Sequence, residues 1–270
     1  MHRFGVLGLL VLVGFVGGCQ TGPTVASVAA GSDVQVPPYA RVPYQGFSRE
    51  AAIQIALREW RAFGQTMVYP NTPLPFDRER EEGLWQRVGD YWWVGLPLGN
   101  PDDGFTGKHT ANGQLFPADQ DANYAWSAAF IDYVMRTAGA GNRFPYSSTH
   151  SDYINAARRH DQGIVVTAER PEAYAPQPGD LICMWRGHHS IRYDDLPTGR
   201  FPGHCDIVVG IKPGALQVIG GNVENSVSMK SVPVTADGHL ADASGAVVDP
   251  DHPWFVVLRV SYDRSAAPIS

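Results

Sequence analysis

The sequence predicts an α+β domain, on three observations. Apolar residues recur at helical spacing in four segments before residue 163. After Gly163 the pattern changes to short runs rich in β-branched residues, and turn-forming residues separate those runs. Helices first and strands afterwards imply an antiparallel sheet with the helices segregated from it.

The elements follow in order. Ser48 suits a helix N-cap, and Ile53, Leu57, Trp60 and Phe63 recur behind it until Gly64 ends the helix. Pro70, Pro73 and Pro75 then force a loop. A second helix is expected from Asp77, with charges in its first turns and Leu84, Trp85, Val88 and Trp92 along one core-facing stripe. Residues 95–124 are rich in Gly, Pro and polar residues without a period, a loop length that is usually functional or disordered. The stretch YAWSAAFIDYVMRTAG, residues 124–139, predicts a third and deeply buried helix with Phe130, Ile131, Val134, Met135 and Ala138 on a broad apolar face. On its chemistry alone Ser127 is the expected N-cap of that helix. A fourth helix is expected from Ser151 to about His160. Strands are expected over 164–168, 180–185, 205–211, 215–219, 226–234 and 254–261, with Pro178-Gly179 opening the second and Lys212-Pro213-Gly214 turning between the third and fourth. The insert 186–203, carrying His188, His189, Asp194 and Asp195, reads as a loop on the sheet rim.

The N-terminus reads as a secretory signal: a positive start at Arg3, then an apolar run over 4–16 too short to span a bilayer. Val16-Gly17-Gly18-Cys19 resembles the lipobox of bacterial lipoproteins, which implies cleavage after residue 18 and acylation of Cys19, so that the protein is anchored to the membrane rather than spanning it. Gln20 after that cysteine implies an outer-membrane lipoprotein facing the periplasm, by the sorting rule known for enteric bacteria. Residues 19–45 suit a flexible tether and 46–264 a single domain. Without residues 1–18 the chain holds 20 Lys+Arg against 27 Asp+Glu, a formal charge of −7. With no basic stripe to displace counterions from phosphates, a nucleic-acid partner is not expected. Once Cys19 is given to lipid, Cys183 and Cys205 are a lone pair on strands in an oxidising compartment. A disulfide and a pair of buried thiols both fit, because sequence alone does not supply a Cα separation.

A constellation emerges from this order: Ser127 at the start of a buried helix, Pro178-Gly179-Asp180 opening a strand, His204 beginning the next strand, and then Asn222 after two glycines. Trp126-Ser127-Ala128-Ala129-Phe130 resembles the Trp-Cys-Ala-Ala-Phe segment of papain-like cell-wall amidases and peptidases of the CHAP and NlpC type. Pro178-Gly179-Asp180-Leu181 resembles that superfamily's strand opening. Gly203-His204 followed by Asp206-Ile207-Val208-Val209-Gly210 resembles its catalytic-histidine strand, and Gly220-Gly221-Asn222 its third polar segment. The likeness covers roughly residues 120–261, with the motifs in family order. The chain as a whole resembles an uncharacterised group of Gram-negative lipoproteins with serine at this position. The resemblance implies a papain-like fold, no cofactor, and a site in which Ser127 is the nucleophile, His204 the general base and Asn222 the group that orients it.

Serine in place of cysteine changes the chemistry. A helix N-terminus and a nearby histidine lower a thiol's pKa enough to form thiolate, but serine needs its proton removed during attack. Backbone N–H groups at the helix start would supply part of an oxyanion hole. Tyr124 and Trp126 stand just before that helix, and Tyr124 is placed either to donate toward an oxyanion or to pack. His150 and Tyr153, near the fourth helix start, are candidates to line the same groove or to cap at the surface. Asp206 shares the face of His204 and rivals Asn222 as its orienting group, whereas Cys205 points to the opposite face. His188, His189, Asp194, Asp195, His204 and Cys205 lie close in sequence but match no metal-ligand spacing, so no metal is expected.

The expectation is therefore an envelope lipoprotein that hydrolyses an amide bond of the cell-wall peptide. A catalytically silent module that binds peptidoglycan or an envelope protein is the alternative. An acyltransferase, which differs only in the acceptor, is the third reading.

Overall fold

Ser48 caps the first helix as its chemistry predicts: its hydroxyl accepts the Ala51 N–H at 3.1 Å at the start of α1, Arg49–Ala62. The computed structural model describes residues 46–69, 78–97, 114 and 125–263. The expected signal, Cys19, the tether, the prolines at 70, 73 and 75, the helix start at Asp77, and Tyr124 lie outside the described residues. Those described belong to one unit that begins at Pro43.

The buried stripe of α1 is Ala52, Ile55, Ala56 and Glu59, not the expected Ile53, Leu57 and Trp60, which are only partly buried. The two alanines let the helix sit close against its neighbours, and the bulkier side chains take the edges of the contact. Glu59 can be fully buried because Arg58, Arg87 and Tyr91 all donate to it, at 2.8, 2.9 and 2.7 Å. The charged segment expected to open the second helix is instead a 3₁₀ turn, Arg78–Arg80, and the α-helix begins only after Gly83, whose left-handed backbone interrupts the chain. This α2, Leu84–Gly95, buries Val88, Tyr91, Trp92 and Gly95. Gly95 touches the backbone of the next helix: a Cβ there would lie 2.7 Å from Ala129 O.

That next helix, α3, spans Ser127–Thr137, and Trp126 is its N-cap residue. Ser127 is thus the first helical residue rather than the cap, and its side chain makes no capping bond. A 3₁₀ turn, Gly141–Arg143, leads to α4, His150–Arg159, which starts one residue earlier than expected and ends at His160 in a left-handed conformation.

The six expected strands are present as β1 Val166–Glu169, β2 Leu181–Trp185, β3 Gly203–Lys212, β4 Ala215–Gly220, β5 Ser228–Pro233 and β6 Trp254–Val260. They form one sheet in the order β1-β6-β2-β3-β4-β5, with every neighbouring pair antiparallel. Alternate side chains enter two clusters: Leu181 and Cys183 join the larger core with the helices, and Ile182 and Met184 join a second core with Leu240 and Trp254. Asp180 explains the Pro-Gly-Asp motif structurally. Its carboxylate accepts from Gln177 N, Tyr174 Oη and Val260 N, each at 2.9 Å, which pins the start of β2 to β6.

Cys183 and Cys205 face each other across β2 and β3 with a Cα separation of 4.1 Å and are joined in a disulfide, so the choice the sequence left open falls to the bridge. The insert 186–202 is a loop containing the 3₁₀ turn Tyr193–Asp195, and His188, His189, Asp194 and Asp195 are exposed on it. No helix among the described residues is long and apolar enough to cross a membrane.

Candidate active site at the start of α3

Three elements deliver the candidate residues to one place. The first turn of α3 presents Ser127, the first turn of α4 presents His150 and Tyr153, and the start of β3 presents His204 and Asp206. The α3–α4 junction is set by Asp132, in the second turn of α3. Its carboxylate accepts the Ser147 N–H at 2.9 Å, and Ser147 Oγ in turn accepts the Thr149 N–H at 3.1 Å and donates to Asp152 at 2.7 Å. This chain of bonds fixes where α4 begins and therefore where His150 stands. Burial pushes the Asp132 carboxyl well above the usual carboxylate range.

Ser127 Oγ lies 2.7 Å from His150 Nε2. The other nitrogen of that ring, Nδ1, is hydrogen-bonded to the Tyr153 hydroxyl, one helical turn along α4. In the tautomer that carries its proton on Nδ1 and donates it to Tyr153, the Nε2 lone pair faces the serine hydroxyl. Burial lowers the His150 pKa well below the usual histidine range, and the neighbouring His204 adds to the shift, so the imidazole is neutral at pH 7.

The His204 ring stands against His150, with centroids 5.3 Å apart and planes tilted by 60°. Its Nε2 is 2.8 Å from Asp206 Oδ1, and Asp206 Oδ2 is 2.7 Å from Lys230 Nζ on β5, which also lies over the Trp254 ring at 5.3 Å. All of these groups are enclosed: relative exposure is 5 % for Ser127, 4 % for His150 and Lys230, and 0 % for His204 and Asp206. Burial alone would raise the Asp206 carboxyl, but Lys230 and His204 hold it well below the usual carboxylate range. Burial lowers His204 in spite of the opposing pull of Asp206.

The expected residues thus divide. Ser127, His150, His204 and Asp206 come together. Asn222 does not join them: it sits at φ 54 in the turn after β4, with Glu224 and Asn225 also left-handed, and among the described residues no hydrogen bond joins it to His204. The place beside the His204–Asp206 pair belongs to Gly220, where a Cβ would fall 1.9 Å from Asp206 Oδ1 and 2.9 Å from His204 Nε2. The side chain hydrogen-bonded to His204 is Asp206, on the same strand face, and not the expected Asn222. The histidine hydrogen-bonded to Ser127 is His150, not the expected His204. Trp126 is fully buried, with its indole N–H donating to Glu79, so it ties α3 to the 3₁₀ turn at residues 78–80 and does not line an open surface. Cys205 is bonded to Cys183 on the face opposite His204. Among the described residues no three His, Cys, Asp or Glu side chains converge as metal ligands.

A model of a bacterial family described as an uncharacterised conserved protein, DUF2272, matches residues 79–260. The chain belongs to the DUF2272 family. The matched span in this DUF2272 chain runs from Glu79 in the 3₁₀ turn to the end of β6, and so contains Ser127, His150, Tyr153, His204, Asp206 and Lys230. No curated protein and no solved structure matches the chain.

The only sequence signal for His150 and Tyr153 was their spacing: two polar rings one turn apart at the head of an otherwise buried helix. Lys230 carried no signal, since a lysine in a strand ordinarily faces solvent.

Proposed function

We propose that this chain is an outer-membrane lipoprotein, anchored through Cys19 and facing the periplasm, whose papain-like domain hydrolyses an amide bond of the cell-wall peptide with Ser127 as nucleophile. The observation that carries the reading is the 2.7 Å contact between Ser127 Oγ and Nε2 of a buried, neutral His150. Nucleophile, base and a third group that orients the base are the parts of an acyl-transfer site, and Tyr153 takes the third role. The papain-like reading draws support from the four motifs in family order and from an antiparallel sheet that follows the serine-bearing helix. The envelope location rests on the N-terminal residues, and the substrate class on the resemblance to cell-wall amidases.

In this reading Ser127 Oγ attacks the amide carbonyl while His150 Nε2 takes its proton, and the same proton passes to the departing amine as the C–N bond breaks. The first N–H groups of α3 have no intrahelical acceptor and would supply part of an oxyanion hole. No cofactor takes part.

A second reading, a binding module without catalysis, draws on the enclosure of the site: a serine 5 % exposed and a histidine 0 % exposed also describe a buried structural cluster. Incubation of the full-length chain, Ser127→Ala and His150→Ala with isolated peptidoglycan separates the two. Fragments released by wild type alone, read by mass spectrometry, support the hydrolase. No fragments from any of the three, with unchanged co-sedimentation, supports the binding module.

A further inference from the structure

His204 is the part of the site that the serine–histidine contact leaves without a task. Its Nε2 is committed to the carboxylate of Asp206, which can only accept, so the proton of the neutral ring sits on Nε2 and Nδ1 carries a lone pair. That Nδ1 is buried and, among the described residues, has no hydrogen-bond partner. A buried acceptor left unpaired is costly, and such an atom calls for an explanation when it stands in a cluster of paired side chains. Here the cluster is fixed from behind: Lys230 holds Asp206, Asp206 holds Nε2–H, and the ring is packed against His150.

We infer that the site contains two bases with separate tasks: His150 serves Ser127 in forming the acyl-enzyme, and His204 Nδ1 accepts the proton of the water that cleaves it. The inference rests on the proposed serine hydrolase. His150 is neutral again once the amine has left with its proton. In the second half, water oxygen bonds to the acyl carbon and one water proton moves to His204 Nδ1. The ester C–O bond then breaks, and the proton passes from His204 to Ser127 Oγ. The acid leaves, and both rings are neutral as at the start. Asp206 stabilises the imidazolium that forms, and Lys230 is a positioning residue that keeps Asp206 ionised. The incoming water is thus the partner that Nδ1 takes in this second half. Burial, which lowers the pKa of His204 as well as that of His150, keeps Nδ1 free to accept near neutral pH.

Two bases predict two separable defects. The full-length chain is mixed with p-nitrophenyl acetate, with the early burst of nitrophenolate reporting acylation, the later steady rate reporting deacylation, and mass spectrometry locating acetyl on the Ser127 peptide. The expected result is a burst followed by turnover in wild type and no burst in His150→Gln. His204→Gln should keep the burst, retain acetyl on Ser127 and turn over roughly 10²–10⁴-fold more slowly, the usual worth of a general base. Hydroxylamine, which attacks an ester without a base, should clear the trapped acetyl from His204→Gln, and the retained burst separates loss of a base from a structural defect, which would remove burst and turnover together. Asp206→Asn should give the same trapped species more weakly, and it carries the test if His204→Gln does not fold. Turnover by His204→Gln at the wild-type rate, or loss of its burst together with its turnover in a folded protein, overturns the two-base assignment while leaving Ser127 catalysis standing. Absence of any burst or acetyl-serine in wild type overturns the hydrolase reading itself.

Discussion

Lys230 Nζ lies 2.7 Å from Asp206 Oδ2, with the lysine side chain only 6 % exposed and the aspartate fully enclosed. Removing one member of a buried pair strands the other, which is generally worth about 3–5 kcal/mol. Lys230→Met should therefore lower the free energy of unfolding by about that amount in urea titrations. The double variant Lys230→Met, Asp206→Asn should recover part of the loss, because no uncompensated charge remains. Equal stability of the Lys230→Met single variant and wild type would show that the pair is not closed in solution.

Gly220 offers a steric test of the same pair. A methyl group there would meet Asp206 Oδ1 at 1.9 Å and Val223 Cγ2 at 2.9 Å, so Gly220→Ala must displace the carboxylate that holds His204. Overpacking of this kind costs about 1–3 kcal/mol, and a lowered melting temperature should accompany loss of any Ser127-dependent turnover. Gly199→Ala, where a Cβ meets nothing within 4 Å, should leave both unchanged.

The two histidines set a pH dependence of stability. Both have folded pKa values below the ordinary histidine value, mainly through burial, so the unfolded chain binds protons that the folded chain refuses. Stability then rises with pH while the unfolded rings titrate, is fully present above about pH 6.5, and is lost as pH falls below it. Asp206, Lys230, Tyr153 and Arg186 also bear on these rings, but Asp206 is held low and loses its charge only in far more acidic solution. Urea midpoints measured between pH 8 and pH 5 should fall on the acid side, and the slope should be reduced in His150→Gln.

The Cys183–Cys205 bridge closes a loop with a sequence separation of 22. On the chain-entropy model a loop of that length is worth about 3 kcal/mol. Unfolding in the presence of a thiol reductant, or of the Cys183→Ala, Cys205→Ala double variant, should show a midpoint lowered accordingly, while alkylation of the non-reduced protein should label neither residue.

The regular elements were legible because each carries its own period. The β-branched runs at 181–185, 205–211 and 254–260 mark strands wherever they occur, and Ser48 marks a helix start by an interaction three residues long. Local chemistry misled where it had a rival. Ser127 is a favoured capping residue by type, but it entered the helix as its first residue, because its hydroxyl found a histidine rather than its own backbone. Asp77 to Glu82 looked helical by charge, and a single left-handed glycine at Gly83 broke the segment.

By itself the sequence determined the class of fold, the antiparallel strands, a serine at the head of a buried helix, and a histidine with an acid two residues beyond it on one strand face. Only the tertiary structure decided which groups meet. Ser127 and His150 are 23 residues apart on different helices, and their contact depends on Asp132 seizing the loop that starts α4. Asp206 acquired Lys230 from β5 through strand pairing, and Gly220 on β4 made room where a side chain would have come between Asp206 and His204. Periodicity reports which face a residue occupies, since that follows from backbone geometry over a few residues. The partner across a packed interface depends on how whole elements dock, and no local pattern encodes it.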